Sequence, residues 1–186
     1  SDARARAGLE RLPDEPQGGS EEAAELAAVD FSLRPGEARD LRAVRDLDRR
    51  ALADEHPDGD PARLEELHRR RRQADGDPLA AGSLLRVLES PGGEFAGFFW
   101  AVEGEDPASG RLQLRLIQLA VEPAFRGMGL GALLLARLLG EARDRGCRSL
   151  LCPLGGGSLD LEGVLRRRGF ALRSALYEVD PGTWEG

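Results

Sequence analysis

The stretch LIQLAVEPAFRGMGLG, Leu116–Gly131, runs directly into ALLLARLLGEARDRG, Ala132–Gly146. It opens on a nearly unbroken apolar run, as expected of a strand buried on both faces. Pro123 then turns the chain. From Ala132 the leucines recur at helical spacing, and Gly146 is the predicted terminator. Between strand and helix, Arg126, Gly129 and Gly131 stand in the spacing R-x-x-G-x-G. Such a unit is an anion cradle. Backbone N–H groups point outward where no β-carbon blocks approach, and the helix dipole favours negative charge. A diphosphate is the natural guest.

Upstream, Arg111–Leu116 alternates, with Leu112, Leu114 and Leu116 on one face and Arg111, Gln113 and Arg115 on the other. Alternation stops at Ile117, which predicts a bulge near the changeover. Working outward, FSLR (Phe31–Arg34) reads as a short strand, followed by a Pro35–Gly36 turn. Glu37–Asp54 reads as a helix with Ala38, Leu41, Val44, Leu47 and Ala51 on one face. HPDGDP breaks it, and Asp60 caps a second helix with Pro61 in its first turn. That helix carries Arg69–Arg72, expected to form a solvated face. Ser83–Glu89 and Glu94–Glu103 read as strands joined by Pro91–Gly93, and EDPASG supplies a second hairpin loop. After the glycine loop and its helix, Ser149–Leu154 is a strand stopped by Pro153 and Gly155–Gly157. Ser158 caps a short helix ending at Gly169, and Phe170–Asp180 closes the domain. The order β α α β β β α β α β, without internal repeat, predicts an α/β (α+β) fold with a mixed, mostly antiparallel sheet flanked by helices.

The chain has 186 residues and is 41% hydrophobic, enough for a real core. No apolar run is long enough to span a bilayer and no signal-peptide pattern opens the chain, so the expectation is a cytoplasmic protein without membrane partners. All 26 basic residues are arginine, a compositional bias rather than a functional signal. Residues 1–30 hold eight acids against three arginines, which assigns −5 of the −7 net charge to this segment. Residues 1–29 therefore read as a flexible acidic leader and 30–182 as the folded domain. Nucleic acid is not an expected partner. Cys147 and Cys152 lack companion ligands at metal spacing, so they read as reduced thiols, with no metal site.

Three blocks carry a family resemblance: LAVEPAFRGMGLGALLL, GCRSLLCPL and the closing RRRGF. In this order and spacing the chain resembles the GNAT superfamily of acetyl-CoA-dependent N-acyltransferases over residues 31–180. The resemblance implies acetyl-CoA as cosubstrate and strands four and five splayed apart. It implies that the backbone of Arg126, Gly127, Met128, Gly129, Leu130 and Gly131 holds the CoA pyrophosphate. The pantetheine arm would pair with the backbone of Leu119, Ala120 and Val121. Ser158, at the position of a family Asn, would also touch the cofactor. The acceptor would be an amine, on a small molecule or a protein N-terminus, and homodimers are frequent in the family.

The pattern also breaks. Leu165 stands where many relatives have the tyrosine that reprotonates the departing thiolate, and Pro153 stands where one branch, the ribosomal-protein alanine N-acetyltransferases, has a glutamate. That branch is not assigned. Candidate catalytic residues are Glu122 and Glu103 as bases, Gln118 as an orienting amide, and Tyr177 as a substitute acid. His56 and His68 read as surface residues, and Phe98, Phe99 and Trp100 as core with one face available to floor an acceptor pocket. An acyl-CoA-binding sensor without turnover is the alternative reading, motivated by Leu165 and by Gln118 in place of a carboxylate. A purely structural interaction domain is the third.

Overall fold

A computed structural model of the chain describes residues 30–152 and Arg166. The leader over 1–29, Pro153, the Ser158-capped helix with Leu165, the closing strands and Tyr177 lie outside the described residues. Five strands are seen: β1 (Ser32–Pro35), β2 (Ser83–Glu89), β3 (Phe95–Glu105), β4 (Leu112–Val121) and β5 (Ser149–Leu151). They lie side by side in chain order. The first three pairings are antiparallel, whereas β4 and β5 run parallel. The sheet is thus mixed and mostly antiparallel, as expected.

Helices cover both faces. After a single 3-10 turn at Ala38–Asp40, α1 (Leu41–Glu55) and α2 (Pro61–Asp75) connect β1 to β2, and α3 (Leu130–Asp144) connects β4 to β5. Asp60 caps α2 as predicted, its carboxylate accepting from the Arg63 N–H at 2.9 Å. Val44 and Leu47 of α1 pack with Leu85, Phe98, Trp100 and Ala120 on one face of the sheet. Leu130, Leu134, Leu135 and Leu138 of α3 pack with Leu84, Leu88, Phe99, Leu114 and Leu116 on the other. Successive strand residues serve opposite faces, so Phe98 and Trp100 belong to one core and Phe99 to the other. The aromatic run of β3 is core on both sides.

The bulge sits where the alternation stops. Trp100 pairs with Gln118 and Ala101 with Leu116, leaving Ile117 as the extra residue of β4. At the far end of the same ladder, Gly97 faces Val121. A β-carbon on Gly97 would lie 2.6 Å from the Ala120 carbonyl oxygen and 3.2 Å from the Val121 Cα. Backbone cannot withdraw as a side-chain tip can. Gly97→Ala is expected to cost about 2 kcal/mol through overpacking, lowering the thermal midpoint by about 4–8 °C, as measured by thermal unfolding.

Two expectations need correction. His68 is buried, at 6% exposure, rather than a surface residue. The arginine run on α2 is not uniformly solvated either. Arg69 and Arg70 pair outward with Glu66, while the Arg72 guanidinium lies 5.0 Å over the Trp100 ring. The helical period explains both, because His68 and Arg72 fall four and eight residues after Leu64, on the face turned to the sheet.

Candidate cofactor and acceptor site

Among the described residues, β4 has a parallel neighbour only as far as Arg115. The β4–β5 ladder joins Gln113, Leu114 and Arg115 to Ser149, Leu150 and Leu151, and from Leu116 to Val121 β4 has no β5 partner among the described residues. The outer edge of this stretch can be read from its inner ladder. The Glu122 N–H donates to the Ala96 carbonyl at 2.9 Å, directly opposite it. Opposed residues in an antiparallel pair alternate between bonded and non-bonded. Ala120 and Gln118 therefore bond to β3, while Leu119 and Val121 turn their N–H and C=O groups away from it. An independent contact agrees, since the Val121 carbonyl accepts from the Arg126 Nε–H at 3.2 Å. Two residues thus offer backbone donors and acceptors to an extended amide chain.

That edge leads into the glycine loop. After a 3-10 turn at Pro123–Phe125 the backbone takes a left-handed conformation at Gly127 (φ 80°) and at Gly129 (φ 75°). L-residues rarely adopt it, and here it curls successive N–H groups toward one side. The first bond into α3 from this loop runs from the Leu133 N–H to the Gly129 carbonyl, 3.1 Å. Among the described residues no turn or cap contact engages the N–H groups of 127–132, as expected for a helix start awaiting an acceptor. A β-carbon on Gly127 or Gly131 would meet nothing within 4 Å. Among the described residues, nothing crowds the backbone at these two positions. Leu130 is buried and Met128 packs against the same core, so these two anchor the loop and contribute backbone only.

The predicted site residues thus separate into groups. Leu119 and Val121 lie on the β4 edge turned from β3, and Gly127, Gly129 and Gly131 follow in the loop and first turn of α3. Ala120 packs on the α1 face and bonds to β3, so it borders the track without facing it. Gln118, paired with Trp100, shares the Trp100 face of the sheet. Glu122 does not stand free: both its oxygens are held by Arg50 of α1, at 2.6 and 2.9 Å, and the pairing strengthens the hold of Arg50 on its proton. Both carboxylate oxygens are thereby committed to one guanidinium. Glu103 is committed to Arg145, after the C-terminal end of α3, a helix length away from the loop. The Arg126 side chain points back, pairing with Asp54 at 3.0 Å as well as with Val121.

On the face shared by Trp100 and Gln118 lies a polar chain that sequence reasoning missed. His68 donates Nε2–H to Asp48 at 2.6 Å, since a carboxylate only accepts. The Arg72 Nε lies 3.2 Å from the same Asp48 oxygen, and its other end lies 3.3 Å from Asp75, which in turn lies 3.6 Å from Arg115, the last described rung of the β4–β5 ladder. The chain runs from between α1 and α2 to Arg115 of β4. A charged residue inside the apolar stripe of α1, Asp48 four after Val44, was the available signal.

The two cysteines flank β5. Burial pushes the Cys152 thiol up to about 11, and burial together with nearby Glu103 raises Cys147. Neither is a thiolate near neutrality, which suits packing and not nucleophilic work.

A model of the acetyltransferase (GNAT) family matches residues 41–170, spanning α1, the open edge, the glycine loop and α3. The chain belongs to the GNAT family. N-acetyltransferase 8 of Rattus norvegicus is 39% identical over 74 residues, 40% of this chain and 33% of that protein. The mycothiol acetyltransferase of Cellulomonas flavigena is 31% identical over 142 residues, 74% of this chain and 38% of that protein. The chain spans between a third and two fifths of the length of these curated relatives. Among solved GNAT-fold structures, a GCN5-related N-acetyltransferase from Ralstonia eutropha superposes with a TM-score of 0.68 at 18% identity, covering 81% of this chain and 98% of that one. The glucosamine-6-phosphate N-acetyltransferase of Arabidopsis thaliana gives 0.55 at 17% identity, covering the same shares. At such identities the likeness speaks for the fold alone.

Proposed function

We propose that the chain is an acetyl-CoA-dependent N-acetyltransferase, using the edge of Leu119 and Val121 and the cradle of Gly127–Gly131 to hold CoA. The observation that carries this is their continuity. An amide-pairing edge runs straight into a phosphate-sized cradle at a helix start, which matches the two halves of CoA in order. Acetyl-CoA supplies an acetyl group activated as a thioester. The described residues fit it: two left-handed glycines, no described atom within 4 Å of a β-carbon at Gly131, and N–H groups from 127 to 132 that no described turn or cap contact engages. Ser158, as a cofactor contact, and Tyr177, as a substitute acid, remain proposals of the sequence.

The acceptor amine is placed on the α1–α2 face, where polar side chains approach the end of β4. Gln118 and the Trp100–Arg72 wall stand there, and Gln118 can orient the amine or a water by hydrogen bonding. An amide cannot take the proton, and Glu122 is held by Arg50, so proton removal falls to solvent linked through this face. Glu122→Gln is then expected to leave turnover within about threefold, whereas loss of a working general base costs about 10²–10⁴-fold; steady-state kinetics decide. The acceptor classes stay those of an amine on a small molecule or on a protein N-terminus. The relatives' names, mycothiol acetyltransferase among them, make a small amine the first to try.

The test is thiol release from acetyl-CoA across a panel of amines, beside CoA binding by calorimetry. Amine-dependent release supports the enzyme. CoA binding with no release from any amine favours the acyl-CoA sensor, and no CoA binding removes both.

A further inference from the structure

Arg126 stands out because both ends of its side chain are engaged on the proposed CoA track. Its Nε–H occupies the Val121 carbonyl, one of the edge groups that faces away from β3, and its NH2 group holds Asp54 of α1 at 3.0 Å. A secondary amide laid along this edge needs that same carbonyl as acceptor. Pantetheine carries two such amides. The guanidinium also starts the loop whose N–H groups form the phosphate cradle, and a planar, permanently charged fork is the group best suited to a diphosphate.

We infer that Arg126 is a placeholder on the pantetheine edge and that Asp54 holds it there, so that CoA binds by exchange. An amide N–H of the pantetheine takes over the Val121 carbonyl, Arg126 leaves Val121 and Asp54, and its guanidinium becomes available to the diphosphate. Asp54 is on this account a positioning residue of the acceptor-side helix that sets CoA affinity without touching CoA. The inference rests on CoA lying along this edge, as proposed above.

The geometry favours exchange over a fixed strut for two reasons. Both partners of the Arg126–Asp54 pair are about half exposed, and pairs of that kind are weak enough to be broken by a ligand. A second bridge, Arg50 to Glu122, already ties α1 to the end of β4 through a two-pronged contact. Releasing Arg126 therefore leaves the helix attached.

Calorimetry with CoA on the full chain tests it as a double-mutant cycle. Asp54→Asn is expected to tighten CoA about three- to fivefold, the range of a lost exposed ion pair, and to change nothing in the Arg126→Ala background. If Asp54 instead acted by repelling the phosphates through space, its effect would survive in the Arg126→Ala background. Equal tightening in both backgrounds, or none in either, overturns the placeholder. Arg126→Ala alone gives a second readout. Uncharged pantetheine should bind more tightly because Val121 is released, while adenosine 3′-phosphate 5′-diphosphate should bind more weakly. Changes of the same sign for the two fragments overturn it. Wild-type protein that binds neither CoA nor its fragments removes the proposed function, and this inference with it.

Discussion

Gly129→Glu is expected to raise the CoA dissociation constant by at least about 100-fold while the protein stays folded. Gly129 has φ 75° and ψ 7° and immediately precedes α3. A glutamate there carries its charge to the mouth of the cradle, beside the N–H groups of 127–132. Like charges placed together in a binding site cost several kcal/mol, and each 1.4 kcal/mol is tenfold. The left-handed backbone adds a cost of about 1–2 kcal/mol for an L-residue, or about 2–8 °C in thermal midpoint for a chain of this size. Gly129→Asn separates the two effects. Asparagine tolerates the left-handed region and brings no charge, so its CoA affinity should fall by less than about tenfold. Calorimetric affinities for the two variants within threefold of each other would refute the cradle as the phosphate site.

The glycine loop between β4 and α3 could be read from sequence because its physics is local. Gly127, Gly129 and Gly131 sit within five residues, between an apolar run and a leucine-rich helix, and only nearby backbone determines where their N–H groups point. The Ile117 bulge was legible for the same reason, since a break in period 2 happens at one place in the chain. The partner of Glu122 was not legible. The position of Glu122 just past β4 is local, but its partner Arg50 lies 72 residues earlier, and no periodicity connects them. The same distance in sequence hides Asp54 from Arg126. Charged side chains at helix surfaces all look solvated in a sequence, and only the packing of α1 against the end of β4 decides which are taken. His68 was half legible. Its place on the Leu64 face of α2 was countable, but α2 carries so little apolar surface that the face gave no clear signal. The alternation of β4 predicted which side chains face each core, yet the free backbone edge at Leu119 and Val121 emerged only once the pairing with β3 was fixed.

Asp48→Ala is expected to be the most destabilising single change in the acceptor arm, at about 3–5 kcal/mol. Asp48 and His68 are 5% and 6% exposed, and the Asp48 carboxylate is the shared partner of the His68 ring and the Arg72 guanidinium. Removing one member of a buried charged group leaves the others without compensation, and that penalty exceeds the net worth of the contact itself. The Arg72 Nε is already buried without a well-aligned hydrogen bond, so it has little to fall back on. The thermal midpoint should drop by about 6–20 °C. Asp48→Asn keeps the shape and one acceptor for His68 but gives Arg72 no charge, and should fall between the two. If the chain also shapes the acceptor wall, Asp48→Asn should raise the KM for the amine more than it lowers kcat, because Arg72 stacks on Trp100 and Trp100 pairs with Gln118. Equal effects on KM for the amine and for acetyl-CoA would instead mean that Asp48 only holds α1 to α2. A loss below about 1 kcal/mol for Asp48→Ala would mean that water replaces the carboxylate, and that the α1–α2 contact is looser than a buried ion cluster allows.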